Sequence, residues 1–137
     1  LLDWNGLPLF SRRGACCVIM KFYAHTKEGR PEEEWEPLID HLRRTADWTA
    51  RFAAKFGAQE FGWAAGLYHD LGKATEEYLN YFRTGRYRGI RDHATVGAQL
   101  LYAEWKEIGL IPANCVAGNH TGLLDRFSKL PPSLQHR

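Results

Sequence analysis

From residue 35 onward, apolar positions recur at a helical interval. Trp35, Leu38, Leu42, Ala46, Phe52, Ala53 and Phe56, with Thr49 in register, follow a period near 3.6. Pro31 followed by Glu32, Glu33 and Glu34 has the form of a helix start, with acids at the positive end of the dipole. Gly57 is the expected stop. The pattern predicts a second helix from about Gln59 to Asp70, ended by Gly72, and a third over Lys73 to Phe82. A fourth is expected from about Asp92, a capping residue, to Ile108, and a short fifth from Pro112 to the stretch between Gly118 and Gly122. Strand signals are confined to residues 15–23, and Pro131-Pro132-Ser133 reads as irregular. The expectation is one all-α domain, a bundle of about five helices.

Composition narrows the class without naming a function. The 137 residues suffice for one domain and one core. Hydrophobic residues make up 45% and charged residues 25%, ordinary for a globular chain. The net charge of +2 neither announces nor excludes a nucleic-acid partner, because a local basic patch can suffice. Apolar runs are too short for a membrane span, and Arg12-Arg13 interrupt the start where a secretory signal would be apolar. Three cysteines, two of them adjacent (Cys16 and Cys17, with Cys115), fit a reducing, cytoplasmic setting. The single methionine, Met20, precedes the motif-bearing sequence. Residues 1–19 are therefore expected to be an upstream arm, readthrough or an expression remnant, and residues 20–137 the functional domain.

Four histidines carry the candidate chemistry. His41, His69, His93 and His120 are spaced 28, 24 and 27 residues apart and fall on successive predicted helices or their ends. Histidine is the commonest metal ligand near neutral pH, and a helical bundle can project ligands from several helices into one interior site. A lone buried histidine is more often a hydrogen-bonded core residue. Four in one small domain, with Asp70 beside one of them, weigh toward a metal site. Neighbours near a helix end point about 100° apart, so Asp70 can bridge two cations while His69 binds one. Two ions roughly 3.5–4 Å apart can clamp the attacking and leaving oxygens of a phosphodiester. Mixed imidazole and carboxylate ligation suits Mn, Fe, Ni, Co or Zn better than Ca or Mg.

The ordered series Tyr23-Ala24-His25-Thr26, Asp40-His41-Leu42, His69-Asp70-Leu71-Gly72-Lys73-Ala74, Asp92-His93-Ala94 and Gly118-Asn119-His120-Thr121-Gly122-Leu123 resembles the HD nuclease domain of type I CRISPR helicase-nucleases, within the HD phosphohydrolase superfamily. The resemblance covers about residues 20–127. It implies an HD-type helical bundle with His41, His69 and Asp70 on a first metal, and Asp70, His93 and His120 on a second. Lys73 would offset charge on the scissile phosphate, making Asp70 and Lys73 the catalytic pair. His25 would be a neighbour of the site. The implied cofactor is one or two divalent transition metal ions. The implied activity is hydrolysis of single-stranded DNA in CRISPR interference, with a helicase, fused or separate, and an RNA-guided surveillance complex as partners. The alternatives are an HD phosphohydrolase acting on nucleotides, and an incomplete, non-catalytic HD domain that binds nucleic acid or protein.

Two departures from that pattern stand out. Asn119 occupies a position where such domains carry histidine, which makes it a weak or outer-shell ligand. The late Asp that they supply to the first metal has no counterpart before Arg137, since Asp125 belongs to a different stretch. A C-terminally truncated domain is therefore expected. Elsewhere, Arg83, Arg86, Arg88 and Arg91 interleave with Tyr81, Phe82 and Tyr87 in a manner compatible with nucleic acid, although a solvated basic loop is the plainer reading. Trp35, Trp48, Trp63 and Trp105 read as core or interface.

Overall fold

A computed structural model describes residues 21–86, 93–120 and 122. Its architecture is helical. Strand β1 (Tyr23–His25) pairs antiparallel with β2 (Glu36–Pro37), Tyr23 opposite Pro37 and His25 opposite Glu36. Four α-helices follow: α1 (Leu38–Ala54), α2 (Gln59–Tyr68), α3 (Glu76–Thr84) and α4 (His93–Ala117). Single 3₁₀ turns occupy Glu32–Glu34 and Leu71–Lys73. The all-α expectation holds, with the small two-stranded sheet as an addition. None of the described helices is long and apolar enough to cross a membrane. The upstream segment 1–19, the distal part of the basic loop (Tyr87, Arg88, Arg91), Asp125 and the Pro131–Ser133 tail lie outside the described residues.

The first helix starts later than its acidic run suggests. Glu32–Glu34 form only a 3₁₀ turn, and α1 begins after Pro37. The cause is Pro37, which disfavours helical geometry at Glu36 and holds it extended, so that Glu36 joins a strand. The second helix stops at Tyr68, which leaves His69 as its C-cap and Asp70 outside it. The third starts at Glu76 because Thr75 caps it, accepting a hydrogen bond from the Tyr78 amide. The predicted fourth and fifth helices are the two halves of α4. They meet where Lys106 leaves helical geometry at φ 57° and ψ −135°, and Pro112 continues inside the second half. There its ring costs only the bond to the Ile108 carbonyl.

Small residues let these elements approach. The main core joins Ala64 of α2 to Ala98, Leu101, Ala113, Val116 and Ala117 of α4. A second cluster, Ala24, Leu38 and Leu42, seats the strand pair on α1 with help from Phe22, Leu67 and Leu71. Gly66 of α2 faces α1 so closely that an added Cβ would lie 2.6 Å from Ala46 Cα. Gly72, in the turn after Asp70, faces the start of α4, and a Cβ there would lie 2.7 Å from His93 Cα. These two contacts set how near α1 and α4 come to the His69–Asp70 turn.

Replacing Gly66 with Ala should therefore force α1 and α2 apart. The expected cost is about 1–3 kcal/mol, seen as a thermal midpoint lowered by roughly 5–15 °C. An unchanged melting curve for Gly66→Ala would refute this account of the helix pair.

Candidate metal centre

Three imidazoles converge on one carboxylate. His41 comes from the first turns of α1, His69 caps α2, and His93 opens α4. Asp70 lies among them only 4% exposed. Its Oδ2 is 3.5 Å from His41 Nε2 and 3.4 Å from His69 Nε2. Its Oδ1 is 3.3 Å from His93 Nε2. One oxygen thus faces the α1–α2 pair of rings and the other faces α4. His120 completes the far side, with its Nε2 2.8 Å from His93 Nε2. On the near side, His41 and His69 bring their Nε2 atoms within 3.1 Å.

Two of the three rings, His69 and His93, are hydrogen-bonded from behind at their other nitrogen, and His41 faces a carboxylate there without a hydrogen bond. His69 Nδ1 lies 2.7 Å from the Gly66 carbonyl, which can only accept, so Nδ1 carries the proton and Nε2 is left with its lone pair when the ring is neutral. His41 Nδ1 is 3.4 Å from the Glu36 carboxylate, itself ion-paired with Arg44. His93 Nδ1 contacts the Tyr78 hydroxyl at 3.4 Å. Buttresses of this kind fix the tautomer and aim of metal-binding imidazoles. Glu36 and Tyr78 escaped the sequence reading, since nothing in their local sequence marks them and only the fold brings them behind His41 and His93.

Lys73 is buried beside Asp70. Its Nζ is 2.7 Å from Asp70 Oδ2 and donates to the Ala24 carbonyl at 3.1 Å. An ammonium has three protons, and one remains beyond these two partners. His25 stands at the edge, largely exposed, its ring packed edge-on against His41 with centroids 5.0 Å apart. Asn119 is exposed next to His120. Arg83 is taken up by a two-pronged ion pair with Glu32, and Phe82 packs on Trp35 and Tyr78. Of the tryptophans, Trp35 and Trp105 are partly buried, whereas Trp48 and Trp63 are exposed.

The electrostatics follow from burial. Burial opposes ionisation of Asp70, but polar contacts from His69, His93 and Lys73 outweigh it and hold the carboxyl far below the usual carboxylate range. Burial likewise opposes charge on His69, yet Asp70 and the Gly66 carbonyl raise its pKa. His41 moves the other way, since burial prevails over the attraction of Glu36.

The donor set fits divalent transition metals. His41, His69 and Asp70 each offer a ligand atom within 4.8 Å of the others, and so do Asp70, His93 and His120. Among the described residues Asp70 Oδ1 is buried with no hydrogen bond of good geometry, His93 Nε2 facing it at 3.3 Å, as an oxygen and an imidazole sharing a cation would be. Nitrogen pairs at 2.8 and 3.1 Å match the separation of neighbouring ligands about an ion bound at roughly 2.0–2.1 Å. A third group, His25, Glu36 and His41, shares His41 with the first and is more exposed.

The sign of the acid dependence follows. Asp70 has a lower pKa folded than unfolded, so its ionisation stabilises the fold above about pH 4, and the contribution is lost as pH falls through the folded value. Asp70→Asn also leaves Lys73 buried without its counter-charge. In metal-free protein the variant should be less stable at pH 7 by about 3–5 kcal/mol, with the gap narrowing below pH 4. Denaturant unfolding at both pH values measures this, and equal stability at pH 7 would contradict it.

The comparisons agree with this geometry. The HD domain family model matches residues 38–130, which include all the candidates of the two ligand groups that share Asp70, whereas His25 and Glu36 precede the match. No curated protein and no solved structure matches the chain. The matched residues span more than half of the sequence and contain the His69–Asp70 turn together with both flanking histidine pairs, and the chain belongs to the HD domain family.

Proposed function

We propose that this chain is a metal-dependent phosphodiesterase that cleaves single-stranded DNA. The observation that carries this reading is the shared Asp70 carboxylate, with one oxygen toward His41 and His69 and the other toward His93 and His120. Divalent cations supply Lewis acidity toward phosphoryl oxygens and acidify water near neutral pH. His41, His69 and Asp70 would hold the first ion, and Asp70, His93 and His120 the second. Asp70 orients both sets and supplies the negative charge that neutral imidazoles lack. Lys73 keeps Asp70 ionised, and its remaining proton offsets charge that develops on phosphate. Glu36, Tyr78 and the Gly66 carbonyl keep the rings in place. Mn, Fe, Ni, Co and Zn all suit such donors.

The choice of polynucleotide rests on the ordered motifs of residues 20–127, which resemble the nuclease domain of CRISPR helicase-nucleases. The same resemblance supports a role in CRISPR interference inside the cell, beside a fused or separate helicase and an RNA-guided surveillance complex.

Added Mn(II) or Co(II) should raise the melting temperature. At a hundredfold excess over Kd the gain is about 2.7 kcal/mol, or roughly 8–15 °C for a chain of this size. Absence of a shift with each of the five metals would contradict the metal site. Metal-supplemented protein should nick or degrade single-stranded DNA. Asp70→Ala should lower that rate at least about a thousandfold, as loss of an electrostatic anchor does elsewhere. Wild-type rates in Asp70→Ala would sink the site, and turnover of mononucleotides without cleavage of polynucleotide would redirect the substrate.

A further inference from the structure

Helix α1 carries a second feature that its metal ligand does not explain. Trp48 and Phe52 follow His41 by seven and eleven residues, close to two and three helical turns. They therefore lie on the same flank of α1, about 10 and 16 Å along the axis from His41. The adjoining face of the helix, centred about 120° away, buries Leu38, Leu42, Ala46, Ala50 and Ala53. The flank itself is open: Trp48 is 53% exposed, Phe52 57%, and Phe56, just past the helix end, 76%. Leaving three large rings in water is costly, and the alignment of Trp48 and Phe52 with a metal ligand points to an occupant.

Ring geometry and charge favour one kind. Trp48 and Phe52 stack face to face, with planes 23° apart and centroids separated by 6.0 Å. Arg51 lies over the Trp48 ring at 5.6 Å and Lys55 over the Phe52 ring at 5.8 Å. Neither cation has a carboxylate partner among the described residues, whereas Arg44 nearer the site is taken up by Glu36. Of the acids of α1, Asp40 lies beside His41, and Asp47 lies one turn before Arg51 but forms no ion pair with it among the described residues. Exposed rings with cations held beside them, neither cation ion-paired, form the kind of surface on which bases stack while phosphates are neutralised.

We propose that Trp48 and Phe52, with Arg51 and Lys55, form a binding track for a single-stranded polynucleotide, running along α1 to the His41 end of the metal centre. The track deepens, and rests on, the polynucleotide reading of that centre. Stacking on an aromatic face is indifferent to base identity, so the track binds without sequence preference and delivers the backbone toward the metals.

The test is fluorescence anisotropy with a short fluorescein-labelled oligo(dT) and wild-type protein, over a range of salt. Trp48→Ala/Phe52→Ala should weaken binding by roughly tenfold or more, from the loss of two stacked bases. Arg51→Gln/Lys55→Gln should also weaken it and lower the log–log salt slope by about 1.4, for two lost phosphate contacts. Both variants should keep wild-type affinity for Mn(II), read by electron paramagnetic resonance, which shows that the metal centre still folds. Unchanged oligonucleotide binding in both variants overturns the track. So does a wild-type dimer in sedimentation that Trp48→Ala/Phe52→Ala turns into monomer, because the rings then serve a protein contact. Metal-dependent hydrolysis of bis(p-nitrophenyl) phosphate by wild-type protein that does not bind oligo(dT) overturns the track and spares the phosphodiesterase reading. Binding through the stripe without any metal-dependent hydrolysis does the reverse.

Discussion

A carboxylate that is only 4% exposed must be compensated on the spot, and much of this fold is arranged to compensate Asp70. An isolated buried charge is intolerable, and even a paired one is stabilising only when the remaining lone pairs find partners. Asp70 therefore sits where three chain segments meet. Lys73, three residues on, supplies the opposite charge, and the rings of His41, His69 and His93 surround the two oxygens. Lys73 is only 8% exposed and has the same requirement, which the Ala24 carbonyl of β1 helps to meet. One ion pair thus ties β1, α1, the turn after α2 and the start of α4 to a single point.

Such convergence is possible only where backbones come close, which accounts for the composition of the packing. The closest backbone approaches around the site are made at small residues, Ala46 against Gly66, His93 against Gly72 and Tyr68 against Gly97, with Leu38, Leu42, Leu67 and Leu71 filling the space beside them. A Cβ on Gly97 would run into the Tyr68 carbonyl, one residue before His69. Large side chains also close the core one layer away, at Leu101 and Val116. Close packing of small residues buries less apolar area per contact than leucine would, but it brings the backbones that carry the rings close together.

The parts of this arrangement that were legible in the sequence are those carried by periodicity and spacing. The face Leu38, Leu42, Ala46, Ala53 gave α1 its buried side, and the intervals between His41, His69, His93 and His120 pointed to one shared site. Legibility failed where tertiary contacts decide. Glu32–Glu34 imitate a helix start, but Pro37 fixes the true one and turns Glu36 into strand and buttress. Tyr78 carries no local mark of its place behind His93. Trp48, read as core or interface, shows its exposure only once the buried direction of α1 is known.

Charge balance links the two ends of the proposed chemistry. Near the centre the protein supplies two carboxylates, Asp70 and Glu36, each already matched by a cation, Lys73 and Arg44. Neutral imidazoles add donors but no charge, so two dications would leave the site with about four uncompensated positive charges. In a buried setting that excess is costly. It is relieved when an anion enters with the ions, and a phosphodiester is such an anion. The first set of ligands is the more enclosed, whereas His120 in the second is exposed. On the proposed reading, tight occupancy of the second position would be coupled to the presence of a phosphate anion. By reciprocity, the proposed polynucleotide would be held most firmly when both positions are filled. In that reading the enclosed first position binds metal by itself, and the more exposed second position, poor in carboxylates, would fill most firmly with the phosphodiester in place.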